Sequence, residues 1–449
     1  MLPIYTRYLS KSDYGVLEIL LPTSNIILLV LQLGLASALF RSILYRQKTD
    51  RKTCISTAYF FLLIFSAIVL TILFVFAGNF SQLLFNTLDK KNLLQLVFIG
   101  DFFLILNAIP MAVLRVDQRS ITFAFIAGSN FFVTLCLNLL FVVHLKQGIY
   151  GTLLANTLGA LFFSLIYFWV IRKNIVLKFS ASELKSMLAF GLPLVPGTIG
   201  DMFMLVSDRY FLKFYRGLEQ VATYSLAIRI ATMIALLVAA FQLAWPAIFF
   251  PLAKEENAQE IFAKLFNYFI FFFIYAWLFV AIFSSDIIGI FATASYMQAS
   301  YLVPIISMAN IFIGMYYFTS IGIQLKKKTG MFPLFIGIAC LFNIITSFII
   351  IPEYGMFGAA FVKVFSYGIL ALGICLISLR YYYIKFDIKK IAKLFIIAFS
   401  LYFIQIIISL NFSQYLLLFK IILIIAFPVI IISTDPIRKE LKKFILKRI

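Results

Sequence analysis

Gly148-Ile-Tyr-Gly-Thr-Leu-Leu-Ala-Asn-Thr-Leu-Gly-Ala-Leu-Phe-Phe-Ser-Leu-Ile-Tyr-Phe-Trp-Val-Ile171 contains no charged residue and ends against Arg172-Lys173. A stretch of this length and polarity crosses the roughly 30 Å hydrocarbon core of a bilayer as a helix. Its opening, Gly148-Ile-Tyr-Gly151, recurs as Gly355-Met-Phe-Gly358. The same offset carries Tyr14-Gly-Val-Leu-Glu18 onto Val221-Ala-Thr-Tyr-Ser225, and Asn138 onto Asn343 with a two-residue slip. One apolar helix repeated at a fixed interval is the mark of an internally duplicated membrane protein.

Composition agrees. The chain of 449 residues is 63% hydrophobic and 12% charged, against about 25% charged residues in a soluble domain. A water-exposed enzyme is excluded. Apolar runs bounded by charges or turn residues mark thirteen spans: 15–40, 55–77, 92–114, 121–144, 149–171, 187–211, 219–248, 264–284, 299–323, 331–351, 355–379, 391–411 and 415–433. The connections are short, and nothing resembles a cleaved signal peptide.

Charge gives the direction. Most of the 38 Lys and Arg fall on alternate connections, including Arg41 to Lys52, Arg115 and Arg119, Arg172 to Lys185, Lys326 to Lys328 and Arg380 to Lys393. Arg7, Lys11, Lys90, Lys91, Lys146, Lys213 and Arg216 make up the sparse opposite set. This asymmetry places the first set and the C-terminus in the cytoplasm and residue 1 outside. The tail Arg438 to Arg448 reads as an anchor on anionic lipid, with no nucleic-acid partner. One His, His144, and four Cys exclude a multi-His metal site. Cys54, Cys136, Cys340 and Cys375 lie in or beside apolar runs, which gives no disulfide framework.

The repeat unit is six helices, so the expected fold is all-α and integral to the membrane. Two pseudo-symmetric six-helix lobes are related by an axis along the membrane normal, followed by two C-terminal helices. The expected domains are an N-terminal lobe at 1–171, a cytoplasmic inter-lobe linker at 172–186, a C-terminal lobe at 187–379, a helix pair at 391–433 and a basic tail at 434–449. The helix 187–211 would pair with residues before Met1. Thirteen of fourteen spans are expected here, the first being truncated.

Buried charge marks a pathway in such proteins. The candidates are Glu18, Asp101, Asp201, Asp208, Arg209, Arg229 and Lys363. Glu18, Asn25 and Gln32 recur every seven residues and form one helix stripe. Ser225, Arg229 and Thr232 form the matching stripe in the second half, and Ser225 and Thr232 stand at the repeat positions of Glu18 and Asn25. A polar face repeated in both lobes is expected to border a wet cavity. Pro193 and Pro196 interrupt a helix among Gly191, Gly197 and Gly200, which makes them hinge candidates or the site of a static kink. Asp208 and Arg209 lie near a helix end and read as a cap or local ion pair. Glu18 also reads as a rim residue, and Lys420 as lipid- or interface-facing.

Leu2-Pro-Ile-Tyr-Thr-Arg-Tyr-Leu-Ser-Lys-Ser-Asp-Tyr-Gly15, Gly191-Leu-Pro-Leu-Val-Pro196, Ser207-Asp-Arg-Tyr-Phe-Leu212, Tyr224-Ser-Leu-Ala-Ile-Arg229, and Asn343 with Ile351-Pro-Glu-Tyr-Gly-Met-Phe-Gly-Ala-Ala360 carry a family resemblance. The chain resembles Wzx-type flippases of O-antigen and capsular polysaccharide, in the multidrug/oligosaccharidyl-lipid/polysaccharide exporter superfamily. The resemblance implies a multi-pass protein of the bacterial inner membrane that is not an enzyme. It implies outward movement of an undecaprenyl-diphosphate-linked oligosaccharide by alternating access. It also implies coupling to H+ or Na+ with no other cofactor.

In that setting Arg229 is read as a fork for phosphate and Lys363 as a point charge. An interhelical ion pair is the other reading for Arg229, and snorkelling outward is the other for Lys363. Asp101 and Asp201 are candidate coupling acids or cavity acids, and a buried partner for a cation is the other reading for Asp101. Tyr224 and Asn25 are candidate sugar walls. The expected partners are the lipid-linked oligosaccharide, membrane lipids and other polysaccharide-assembly proteins; the sequence carries no oligomer signal. Two alternatives stand beside this reading: export of a peptidoglycan lipid precursor or drug cation, and a membrane-embedded glycan polymerase. No G-x-x-x-x-G-K-[ST] motif is present for ATP.

Overall fold

The computed structural model describes residues 1–45, 50–411 and 416–434. Arg46, Lys48 and the basic tail Arg438 to Arg448 lie outside the described residues. Among the described residues every regular element is a helix. Among the described residues twelve helices are long and apolar enough to cross a membrane. One of them, Met331–Tyr381, contains 51 residues and would run about 75 Å if straight. It covers the two expected spans 331–351 and 355–379, and its backbone breaks at Gly355 with φ 56 and ψ −131.

That break confirms the repeat at the level of conformation. Gly148 and Gly355 have φ of +57 and +56, the left-handed region that glycine enters without steric cost. At the next glycine of each motif a Cβ would meet backbone: 3.0 Å from the Phe141 carbonyl oxygen at Gly151, and 2.9 Å from the Ile350 carbonyl oxygen at Gly358. The paired asparagines are both buried. Asn138 donates to the Thr134 carbonyl at 2.8 Å and accepts from the Tyr5 hydroxyl at 3.2 Å. Asn343 donates to the Ser366 hydroxyl at 3.1 Å.

The chain forms two compact units, Met1–Tyr210 and Phe211–Ile449. In the first, Lys91–Leu106 packs against Gly148–Ile171, Arg51–Val75 and Lys11–Gln32. Ser10 caps Lys11–Gln32 by accepting from the Asp13 N–H, and Asp50 caps Arg51–Val75 by accepting from the Lys52 N–H. Leu114, Ile126, Phe163 and Tyr167 form a buried apolar cluster.

The unit boundary falls later than the expected linker at 172–186. Arg172–Asn174 is a single 3-10 turn. The segment after it is bound to the start of Arg51–Val75: the Val176 N–H donates to the Ser56 hydroxyl at 2.8 Å, and the Ser180 N–H to the Thr57 hydroxyl at 3.0 Å. Ala181–Gly191 then packs on Leu35–Tyr45 and Arg51–Val75. The helix expected to open the second half therefore belongs, as far as Tyr210, to the first compact unit.

In the second unit Leu218–Leu252 packs along Ala299–Thr319, which packs along Met331–Tyr381. Rings fill the contact: Trp245 and Phe318 stack at 4.4 Å, and Phe241 and Phe269 lie 4.7 Å apart. Trp277 donates its indole N–H to the Pro304 carbonyl at 2.8 Å. The C-terminal helices Ile388–Asn411 and Leu416–Thr434 pack on Ala258–Ile282. Lys420 does not face lipid. It is 1% exposed, and its ammonium lies 2.5 Å from Asp286 and 3.3 Å from the Ser285 hydroxyl. A lysine at that depth needs a counter-charge, and Ser284–Phe291 supplies one.

Candidate functional site

In the first unit the polar residues gather along Lys11–Gln32. Asp101 is 1% exposed, about 15 Å along its helix from Lys91. Its Oδ1 accepts from the Ser24 hydroxyl at 2.5 Å. Its Oδ2 is buried with no hydrogen-bond partner among the described residues. A carboxylate in that state lacks what a proton or a small cation would supply.

Six residues before Ser24 on the same helix, Glu18 is also 1% exposed and lies 3.8 Å from the Arg209 guanidinium. Asp208 Oδ1 accepts from the Arg209 N–H at 2.9 Å. The Tyr210 and Thr23 hydroxyls share a hydrogen bond of 2.8 Å. The end of Val195–Arg216 is thus clasped to Lys11–Gln32 by one ion pair and one hydroxyl pair. Asp201, on the same helix, is exposed, as are Pro193 and Pro196. Pro193 lies in a short 3-10 turn, Leu192–Leu194, between Ala181–Gly191 and Val195–Arg216, and Pro196 lies just after it; the backbone on either side keeps helical φ and ψ, −73 and −46 at Gly191 and −61 and −46 at Val195.

In the second unit the stripe lies on Leu218–Leu252. Ser225 is fully buried, and its hydroxyl has no hydrogen-bond partner among the described residues. Arg229 and Thr232 are exposed. The stripe in the first unit divides the same way: Glu18 is buried, Asn25 exposed and Gln32 half-buried. Repeat-related positions therefore share their environment as well as their polarity. Tyr224, expected as a sugar wall, is fully buried and presents no surface. Lys363 is 5% exposed, so it does not snorkel to the surface.

Ser24, Thr23 and Tyr210 are participants that pattern reading missed. Ser24 is the neighbour of Asn25, about 100° around the helix from the stripe, on the side that packs against Lys91–Leu106. A hydroxyl turned towards a mid-span aspartate was the available signal.

A duplicated helical chain with charge held at mid-span is the build of a multi-pass membrane protein. Comparison with known proteins agrees. The chain aligns with solved structures of a lipid II flippase, MurJ, in an inward closed conformation (TM-score 0.72, 19% identity, covering 96% of this chain and 95% of that one) and of an inward-facing multidrug resistance MATE family transporter of the MOP superfamily (TM-score 0.72, 16% identity, 84% and 92%). An uncharacterized membrane protein of Methanocaldococcus jannaschii is 23% identical over 405 residues, 82% of this chain and 77% of the relative. Residues 1–250 match the polysaccharide biosynthesis protein family, and the chain belongs to that family. Its relatives by fold are transporters and flippases rather than enzymes.

Proposed function

We propose that this protein flips an undecaprenyl-diphosphate-linked oligosaccharide from the cytoplasmic to the outer leaflet of a bacterial inner membrane. It does so by alternating access coupled to H+ or Na+, in O-antigen or related lipopolysaccharide assembly, with its C-terminus in the cytoplasm. Family membership supports the class, and Arg229 carries the reading. Its side chain is exposed about 16 Å along the helix from Leu218. A charge at that depth costs roughly 2.5–3.5 kcal/mol on insertion scales if it meets lipid. A partner in the protein, water and a phosphate-bearing ligand each relieve that cost, and a guanidinium with five N–H donors matches two phosphate oxygens at once. Lys363 adds positive charge within the same unit, and Asn25 and Thr232 offer exposed polar groups for sugar. Asp101, with one oxygen unbonded, is the proposed coupling group; Asp201 is an exposed second acid.

The test is glycan export in a cell lacking its own flippase. The wild-type chain restores export, and Arg229→Ala, present at wild-type level in the membrane, abolishes it. Undiminished export by Arg229→Ala removes Arg229 from the substrate path. A second reading, transport of a peptidoglycan lipid precursor, is favoured by the 96% coverage in the alignment with the lipid II flippase. Growth rescue of a strain lacking that flippase decides between the two.

A further inference from the structure

Arg41 takes no part in either polar group. Its guanidinium carbon lies 4.5 Å from the centre of the Phe190 ring. Stacking of this kind uses the flat face of the guanidinium and leaves its five in-plane N–H donors available. Among the described residues none of those donors meets a hydrogen-bond acceptor or a carboxylate. The ring therefore holds the fork in place without consuming it.

The fork opens into a cavity of about 570 Å³ lined by Ser37, Phe40, Arg41, Phe190 and Leu194. That size lies in the range of sites for small organic ligands, about 300–1,000 Å³. A helix break stands beside it: Leu33 and Gly34 turn left-handed between Lys11–Gln32 and Leu35–Tyr45, with φ of 50 and 68. Leu194 comes from the short 3-10 turn Leu192–Leu194, which follows Phe190 and Gly191. The walls are mixed in kind. Ser37 offers a hydroxyl, while Phe40 and Leu194 are 40% and 44% exposed. Arg41 stands at the cation-rich end of the chain's spans.

We propose that this cavity receives the phosphate head of a lipid. Arg41 holds two phosphate oxygens with paired in-plane N–H groups and Ser37 adds a hydroxyl donor. Phe40, Phe190 and Leu194 cover the first carbons of the attached chain. A free anion would have no use for exposed apolar walls, and an uncharged lipid would leave the fork unmatched. The assignment rests on the proposed transport of a phosphate-linked lipid, and it adds a holding site for that lipid's head separate from Arg229.

The experiment measures binding of decaprenyl diphosphate to the purified full-length protein by native mass spectrometry. An Arg229→Gln background keeps the two cationic sites distinct. Arg41→Gln is expected to weaken binding roughly tenfold or more, and Arg41→Lys to retain part of it. Leu194→Trp fills the cavity from an exposed position while leaving Arg41 in place, and is expected to weaken binding comparably. Unchanged binding in both Arg41→Gln and Leu194→Trp overturns the assignment. Displacement of the probe by inorganic phosphate as readily as by dodecyl phosphate also overturns it, as does equal binding of decaprenol. Transport is scored separately. Arg41-dependent binding by a chain that moves no lipid-linked glycan supports the site and sinks the transport reading; transport with Arg41-independent binding sinks the site alone.

Discussion

Gly34 and Gly191 meet backbone to backbone. A Cβ on Gly34 would lie 2.5 Å from the Gly191 carbonyl oxygen, and one on Gly191 would lie 2.5 Å from the Leu33 carbonyl oxygen. The break at Leu33 and Gly34 meets the helix at Gly191 with nothing between them. Neither obstacle is the tip of a side chain, so neither can rotate away. Gly34→Ala adds a methyl group to that contact and forces alanine to φ +68, and the two effects cost about 1–3 and about 1–2 kcal/mol. Gly191→Ala carries the steric part alone, because Gly191 has helical φ and ψ of −73 and −46. Thermal unfolding in detergent should show both variants destabilised, Gly34→Ala more. Equal melting of wild type and Gly34→Ala would mean that the helices do not touch there.

Lys420 and Asp286 make a second prediction. The lysine is 1% exposed and the aspartate 42%. Removing Asp286 as Asp286→Asn strands a buried ammonium. The full cost of breaking a buried pair is about 3–5 kcal/mol, and with Asp286 open on one side about 1–3 kcal/mol is expected. Lys420→Met removes the charge along with the need for a partner and should melt closer to the wild type. The order Asp286→Asn below Lys420→Met is the readout. The reverse order would mean that the aspartate is dispensable to the lysine.

Asp50 ties stability to pH outside the membrane. Its carboxylate accepts from the Thr53 hydroxyl at 2.6 Å and the Lys52 N–H at 3.1 Å. The Thr53 hydroxyl is the largest influence and holds its pKa below the usual 3.8; burial opposes it, and the backbone bonds and the positive charge of Lys178 add smaller lowering effects. A carboxyl whose folded pKa is depressed contributes stability above its unfolded pKa and loses it as pH falls through the folded value. Wild type should therefore melt above Asp50→Ala at neutral pH. The gap should close as pH drops below about 4, and melting curves across that interval check it. A gap that persists in acid would assign the effect to something other than the charged cap.

The duplicated fold was legible because it repeats. Gly148 and Gly355 share a letter, a spacing and a conformation, so two weak local signals reinforce one another. Span positions were legible because bilayer thickness imposes a length on apolar runs. Contacts between distant elements were hidden. Nothing near Lys420 announces Asp286, which lies far back in the chain, and a lone lysine in an apolar helix reads as interfacial. Arg41 read as one more topology charge, since its significance comes from Phe190 and from a cavity whose walls lie far apart in the chain. The Gly34–Gly191 approach, within the first compact unit, was hidden because no periodicity encodes it.

Asp101 and Ser24 carry the last prediction. Asp101→Asn keeps the shape of the side chain and an acceptor for the Ser24 hydroxyl, so the helices should stay joined. It removes the capacity to exchange a proton or neutralise a cation at the oxygen that has no hydrogen-bond partner among the described residues. In proteoliposomes given a lipid-linked glycan, Asp101→Asn should fold like the wild type and lose the acceleration that an imposed H+ or Na+ gradient gives. Ser24→Ala should do the opposite. It leaves Oδ1 without its donor, which costs about 1–3 kcal/mol of stability, yet retains the titratable group and with it the response to the gradient. Arg229→Gln should fail to transport with or without a gradient, because it acts on substrate rather than on coupling. A gradient response in Asp101→Asn equal to the wild type's would move the coupling site elsewhere, with exposed Asp201 the next acid to substitute.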